Sequence, residues 1–140
     1  METEFVRPAA RAVLVVDDDT GIRSLLATSL RREGYTIHEA RNGREALQQM
    51  WTGTDDLVLL DLMMPEVSGW DVLEQRRDHP ALQKIPVIVI SANRDPEISR
   101  VVSADICALL PKPFDLDTLH AIVKSCLAHG HGPDAPGKVG

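Results

Sequence analysis

Four short apolar runs in this 140-residue chain end in residues able to do chemistry. Val13–Val16 runs into Asp17, Asp18 and Asp19, and Leu57–Leu60 into Asp61. Val87–Ile90 is followed by Ser91, and Ala108–Leu110 by Pro111-Lys112-Pro113. Taken singly, each is ordinary. An acidic triplet after a strand caps the next helix, a lone aspartate turns the chain, and a lone lysine is solvated surface. Taken together they imply a site. Carboxylates brought within about 4–6 Å repel by roughly 2–4 kcal/mol per pair at an effective dielectric near 20, a large fraction of a small domain's stability. A divalent cation or a lysine ammonium relieves that repulsion, and acidic oxygen donors favour magnesium.

Such a cluster needs elements that bring distant stretches of chain to one place. Near-continuous Val/Ile/Leu runs of four suit strands buried on both faces, as in a parallel sheet. The weaker runs Thr36–Ala40 and Ala108–Leu110 then lie at the sheet edges. Helical periodicity fills the gaps. Ile22, Leu25, Leu26 and Leu30 form one stripe, and Asn42 with Glu45 forms a capping pair ahead of Ala46, Leu47 and Met50. A helix is expected around Trp70 to Asp78. Asp95-Pro96 opens another, carrying Ile98, Val101 and Val102, and Asp115 opens the last, with Leu116, Leu119, Ile122, Val123, Cys126 and Leu127 inward. Trp51 and Trp70 are expected at the helix–sheet boundary. Right-handed crossovers then give one doubly wound α/β domain. In such a sheet the ligand site lies beyond the carboxyl ends of the strands, where all four polar termini fall.

A hydrophobic share of 44% supplies a core and excludes a disordered chain. The net charge of −6 repels phosphate backbones, so nucleic-acid binding is not expected. The longest apolar run, Ala12–Val16, is far too short to cross a membrane, and the acidic Met1-Glu-Thr-Glu is followed by no signal stretch. Cys107 and Cys126 show neither CxxC spacing nor a disulfide framework, so free thiols in a reducing cytoplasm are expected. Residues 1–11 read as a polar lead-in, 12–128 as the domain, and 129–140, rich in Gly and Pro, as a flexible tail or linker. His129 and His131 in that tail read as solvated residues rather than metal ligands.

The stretches VLVVDDD, LLLDLMMPEVSG, IPVIVISAN and LLPKPF, in that order and spacing, resemble the receiver domain of two-component response regulators. The resemblance spans about residues 11–128 and implies a (βα)5 flavodoxin-like fold, like that of the chemotaxis regulators, with a five-stranded parallel sheet in the order 2-1-3-4-5. It implies Asp61 as the phosphoacceptor and Asp17 and Asp18 as the acidic pair that holds Mg2+, with Asp61 and the backbone carbonyl of Met63 as further ligands. Ser91 matches the switch hydroxyl, and Lys112 matches the lysine that pairs with the phosphoryl group, its bond to Pro113 being cis in the family. Asp19 is left to lead into the next helix.

The implied activity is signalling, with catalysis limited to the domain's own phosphoryl transfer and dephosphorylation. The donor is a phosphohistidine on a sensor histidine kinase or phosphotransfer protein. Phosphorylation then shifts the surface of the fourth helix, fifth strand and fifth helix, including Arg100, Val101 and Leu109, toward a protein target, a linked output domain or a second copy of the chain. The expected setting is cytoplasmic, with no nucleic acid or membrane bound by this domain. The chain reads equally as a stand-alone receiver or as part of a longer regulator or hybrid kinase. Leu109 departs from the family, in which Tyr or Phe is frequent at this position, so aromatic coupling to the switch hydroxyl in its usual form is not expected. Met63 and Asn93 match positions that tune phosphoryl lifetime in the family, and an apolar Met63 is expected to hinder the hydrolytic water.

Two other functions draw on the same residue types. A phosphatase of the haloacid-dehalogenase type carries Asp-x-Asp-x-Thr/Val on its first strand. Here Asp17-Asp18-Asp19-Thr20-Gly21 ends in the wrong residue, and no insertion is long enough for a substrate-selecting cap. A receiver-fold interaction module that no longer signals through phosphate is opposed by the intact Asp17, Asp18, Asp61, Ser91 and Lys112.

Overall fold

The computed structural model describes residues 11–64, 66–92 and 106–129. In chain order these residues form β1 (Ala12–Val16), α1 (Thr20–Arg32), β2 (Thr36–Ala40), α2 (Gly43–Met50) and β3 (Leu57–Asp61). They continue with α3 (Gly69–Asp78), α4 (Pro80–Gln83), β4 (Val87–Ser91), β5 (Ala108–Pro111) and α5 (Leu116–His129). The strands make one parallel sheet in the order β2-β1-β3-β4-β5, the doubly wound, flavodoxin-like arrangement.

Every residue of β1, β3 and β4 is buried, which is why these strands read as uninterrupted Val/Leu/Ile runs. Alternate side chains feed two cores. Leu14, Val16, Val58, Leu60, Val87 and Val89 pack with Ala46 and Met50 of α2 and Val72 and Leu73 of α3. Val13, Val15, Leu57, Leu59, Ile88 and Ile90 pack on the other face with Leu26, Ala27 and Leu30 of α1 and Leu119, Val123 and Cys126 of α5. The strands β2 and β5 form the edges, and their weaker runs show it: Thr36 and Glu39 are exposed on β2, and Pro111 on β5.

Helix starts follow local chemistry. Asp19 caps α1 by accepting from the Ile22 amide, 3.0 Å, and Asp115 caps α5 by accepting from the Thr118 amide, 2.7 Å. Asn42 caps α2 through the Glu45 amide, 2.9 Å, but the Glu45 carboxylate reaches past it to the Arg41 amide, 2.8 Å. The full capping box is on α3, between Ser68 and Asp71.

Several sequence expectations need correction. Leu25 belongs to the apolar stripe of α1 by type, yet it is 55% exposed, because only Leu26, Ala27 and Leu30 turn fully toward the sheet. Trp70 packs against one core as expected, whereas Trp51 is 53% exposed and meets His79 edge-on, with ring centroids 5.2 Å apart. Trp51 follows the last residue of α2 and so sits past the end of the core. The cysteines are not free: Cys107 and Cys126 form a disulfide, with Cα atoms 6.2 Å apart. Motif spacing reads proximity along the chain only, whereas Cys107 leads into β5 and Cys126 faces the same core from α5. Helix α5 extends through His129. The helix expected from Asp95, together with Asn93, Arg100, Val101 and His131, lies outside the described residues. No helix among the described residues is long and apolar enough to cross a membrane.

Candidate functional site

The carboxyl ends of β1, β3, β4 and β5 form one rim of the sheet. At β1 the ladder continues one residue past the strand, the Asp17 amide donating to the Ala40 carbonyl at 3.1 Å. The carboxylate of Asp17 then turns back on its own chain, with Oδ1 accepting from the Asp19 amide at 2.9 Å. Asp17 is buried and Asp18 exposed. At β3, Asp61 is the last strand residue, and its Oδ1 accepts from the Met63 amide at 3.2 Å. Carboxylate oxygens of Asp17, Asp18 and Asp61 all lie within 4.8 Å of one another.

The opposite side of the rim comes from β4 and β5. Ser91 is fully buried at the end of β4, and its carbonyl accepts from the Lys112 amide at 2.9 Å. The Lys112–Pro113 bond is cis. Lys112 Nζ stands 3.7 Å from Asp17 Oδ2 and 3.9 Å from Asp61 Oδ2. The structure thus brings Asp17, Asp18, Asp61 and Lys112 together and sets Ser91 beside them through the β4–β5 ladder. Met63 follows at the surface, 61% exposed. Leu109 is partly buried against the core that holds Val89, its partner across the ladder.

Burial dominates the electrostatics of Asp61. Its carboxyl is pushed up from the ordinary 3.8 to about 6, first by desolvation and then by the Asp17 charge, against the opposing pull of Lys112 and the Met63 amide. Asp17 Oδ2 is itself buried without a hydrogen-bond partner, although a buried oxygen of this kind ordinarily has one. An orphaned, nearly inaccessible carboxylate oxygen beside two further carboxylates is a donor set for a hard divalent cation.

Two contributors escaped the sequence reading. Arg23 of α1 is buried, and its Nη1 donates to the backbone carbonyl of Asp17 at 2.7 Å. A charged residue beside a helical stripe reads as solvated, and only the i, i+6 spacing from the acidic triplet hints otherwise. Gly69 opens α3 against the end of β3. A Cβ there would collide with the Asp61 carbonyl and lie 2.6 Å from the Leu62 Cα, so the helix can approach Asp61 only because this residue lacks one.

Comparison with known proteins agrees with this geometry. The profile of the response regulator receiver domain matches residues 13–124. The response regulator MprA of Mycobacterium sp. (strain KMS) is 39% identical over 129 residues, which cover 89% of this chain and 55% of that protein. The regulatory protein AtoC of Escherichia coli (strain K12) is 37% identical over 122 residues, 85% of this chain and 26% of that protein. The chain therefore spans about half the length, or less, of these relatives. Among solved structures, the chemotaxis protein CheY4 of Vibrio cholerae superposes with a TM-score of 0.77 at 28% identity, over 83% of this chain and 98% of that one. The response regulator TrrA of Thermotoga maritima, solved in complex with Mg2+-BeF, gives a TM-score of 0.73 at 36% identity, over 82% of this chain and 97% of that one. Profile, relatives and sheet order converge on one assignment: the chain belongs to the response regulator receiver domain family of two-component systems.

Proposed function

We propose that this receiver accepts a phosphoryl group from a histidine kinase or phosphotransfer protein onto Asp61, in an Mg2+-dependent reaction. The observation that carries the reading is the convergence of three carboxylates within 4.8 Å of one another, two of them beside the Lys112 ammonium. An Asp61 oxygen attacks phosphorus while the phosphorus–nitrogen bond of the donor phosphohistidine breaks, leaving an acyl phosphate on Asp61 and a neutral imidazole after proton uptake. With a pKa of about 6, Asp61 is mostly ionised, and so nucleophilic, at neutral pH.

Asp17, Asp18, Asp61 and the Met63 carbonyl would hold Mg2+, and the orphaned Asp17 Oδ2 supports this set. When bound, the ion neutralises charge between the acids and the incoming phosphoryl oxygens. Lys112 supplies a fixed positive charge to another phosphoryl oxygen, and the Ser91 hydroxyl donates to a third. Met63 shields the acyl phosphate from water, so Met63→Asn shortens its lifetime; an unchanged decay rate in that variant removes the shielding role.

The phosphorylated domain shifts the surface around β5 and α5 toward a protein target, a linked output domain or a second copy of the chain. The same acyl phosphate is lost by hydrolysis within the domain. The cytoplasm is the setting that histidine-kinase partners imply, and the paired Cys107 and Cys126 add no support for it. Incubation with acetyl phosphate and MgCl2, followed by intact mass, tests the reading. One phosphoryl adduct, absent in Asp61→Asn and with EDTA, is expected; an adduct that persists in Asp61→Asn overturns it.

A further inference from the structure

We propose that Arg23 is a positioning residue for the cation site, acting on Asp17 through its backbone. This inference rests on the reading of Asp17 and Asp18 as Mg2+ ligands. Asp17 is held at three points: its amide donates to Ala40, its Oδ1 accepts from the Asp19 amide, and its carbonyl accepts from Arg23 Nη1 at 2.7 Å. These three bonds leave Oδ2 as the oxygen without a hydrogen bond, turned toward Lys112 in a carboxylate that neighbours Asp18 and Asp61. The guanidinium is anchored in turn, since its Nε donates to Glu39 Oε1 on β2 at 3.1 Å, and Glu39 also meets Arg31 at 3.4 Å. One planar fork thereby ties α1, the edge strand β2 and the β1 terminus together at the peptide between the two acids.

Electrostatics alone predicts the opposite result. Arg23 is a cation near a cation site, so its charge repels Mg2+, and removing it should tighten binding. Positioning predicts weaker binding, because without Arg23 the Asp17–Asp18 peptide is free to turn and Oδ2 loses its aim. Partners that orient a ligand are worth about 10- to 100-fold in metal affinity. The sign of the change therefore separates the two.

The test is titration calorimetry of the full chain with MgCl2 alone, alongside thermal melting in EDTA. Arg23→Met is expected to weaken Mg2+ by about 10-fold or more. Arg23→Lys, which keeps the charge but offers no fork, should fall between Arg23→Met and the parent chain. Glu39→Gln keeps an acceptor for Nε and should stay within about twofold of the parent. Unchanged or tighter Mg2+ binding in Arg23→Met, while Asp17→Asn abolishes it, overturns the role of Arg23 and leaves the ligand assignment standing. Equal binding by the parent chain and Asp17→Asn overturns the ligand assignment and this inference with it. A melting temperature that falls in Arg23→Met while affinity holds marks a purely structural residue. If Arg23→Met does not fold, parent-level affinity in Arg23→Lys overturns the proposal and weaker affinity supports it.

Discussion

Lys112 Nζ lies 3.9 Å from Asp61 Oδ2, too far to donate a hydrogen bond to it and close enough for direct attraction. The ammonium therefore acts on Asp61 as a charge, and it opposes the burial that drives the carboxyl pKa upward. In Lys112→Met that opposition is gone, so Asp61 rises further above about 6 and fewer molecules are ionised at pH 7. The phosphoryl group also loses a neutralising partner. We expect the rate of phosphorylation by acetyl phosphate to fall about 10²-fold, with the circular dichroism spectrum unchanged. A parent-like rate would remove Lys112 from the reaction.

The raised pKa of Asp61 fixes a pH dependence of stability. The folded chain holds this proton more tightly than the unfolded one, whose carboxyl stays near 3.8. The favourable contribution is therefore full below about pH 4 and is lost as pH rises through about 6. Above that, burial of the charge is a net cost. In EDTA at pH 7.5, Asp61→Asn should unfold at higher urea, more stable by about 3 kcal/mol, and the gap should close below pH 4. A gap of the same size at pH 3.5 would trace the gain to something other than ionisation.

The parts of the fold written in Val, Leu and Ile were legible because burial on both faces leaves no other composition for β1, β3 and β4. The strand ends were legible for the complementary reason. Asp17, Asp61 and Lys112 follow apolar runs, and the topology of a parallel sheet sends every such terminus to the same rim. Arg23 was not legible, because its partner is a backbone carbonyl, and carbonyls carry no sequence signature. Trp51 was misplaced for a related reason: its type favours burial, but only three dimensions show that α2 ends before the core does. The disulfide belongs to the same class, being set by how α5 lies against β5 rather than by spacing.

Gly69 gives a steric test of how the end of β3 is held. Its amide donates to the Leu62 carbonyl at 3.1 Å, and the space of a methyl group is already filled by the backbone of Asp61 and Leu62. Backbone cannot yield as a flexible side chain does. Gly69→Ala should cost about 2–4 kcal/mol in urea unfolding. The variant should also accept a phosphoryl group more slowly, because α3 must retreat and carry the Asp61–Met63 turn with it. A loss under about 0.5 kcal/mol, the size of an ordinary surface change, would mean the helix shifts freely and does not position Asp61.

The disulfide closes a loop from Cys107 to Cys126, a separation of 19 residues that includes β5 and most of α5. On loop-closure entropy alone, a cross-link of this length stabilises the folded chain by about 3 kcal/mol. Both sulfurs lie within an apolar core shared with Leu110, Leu119 and Val123, so reduction leaves the packing nearly intact and acts mainly by freeing the unfolded chain. We expect dithiothreitol to lower the melting temperature by about 10 °C, and Cys107→Ala/Cys126→Ala to melt low in both redox conditions. Intact mass after alkylation of the unfolded, unreduced protein should show no labelled thiol. Two labelled thiols, with a melting temperature indifferent to dithiothreitol, would show that β5 and α5 are held together by apolar packing without the covalent link.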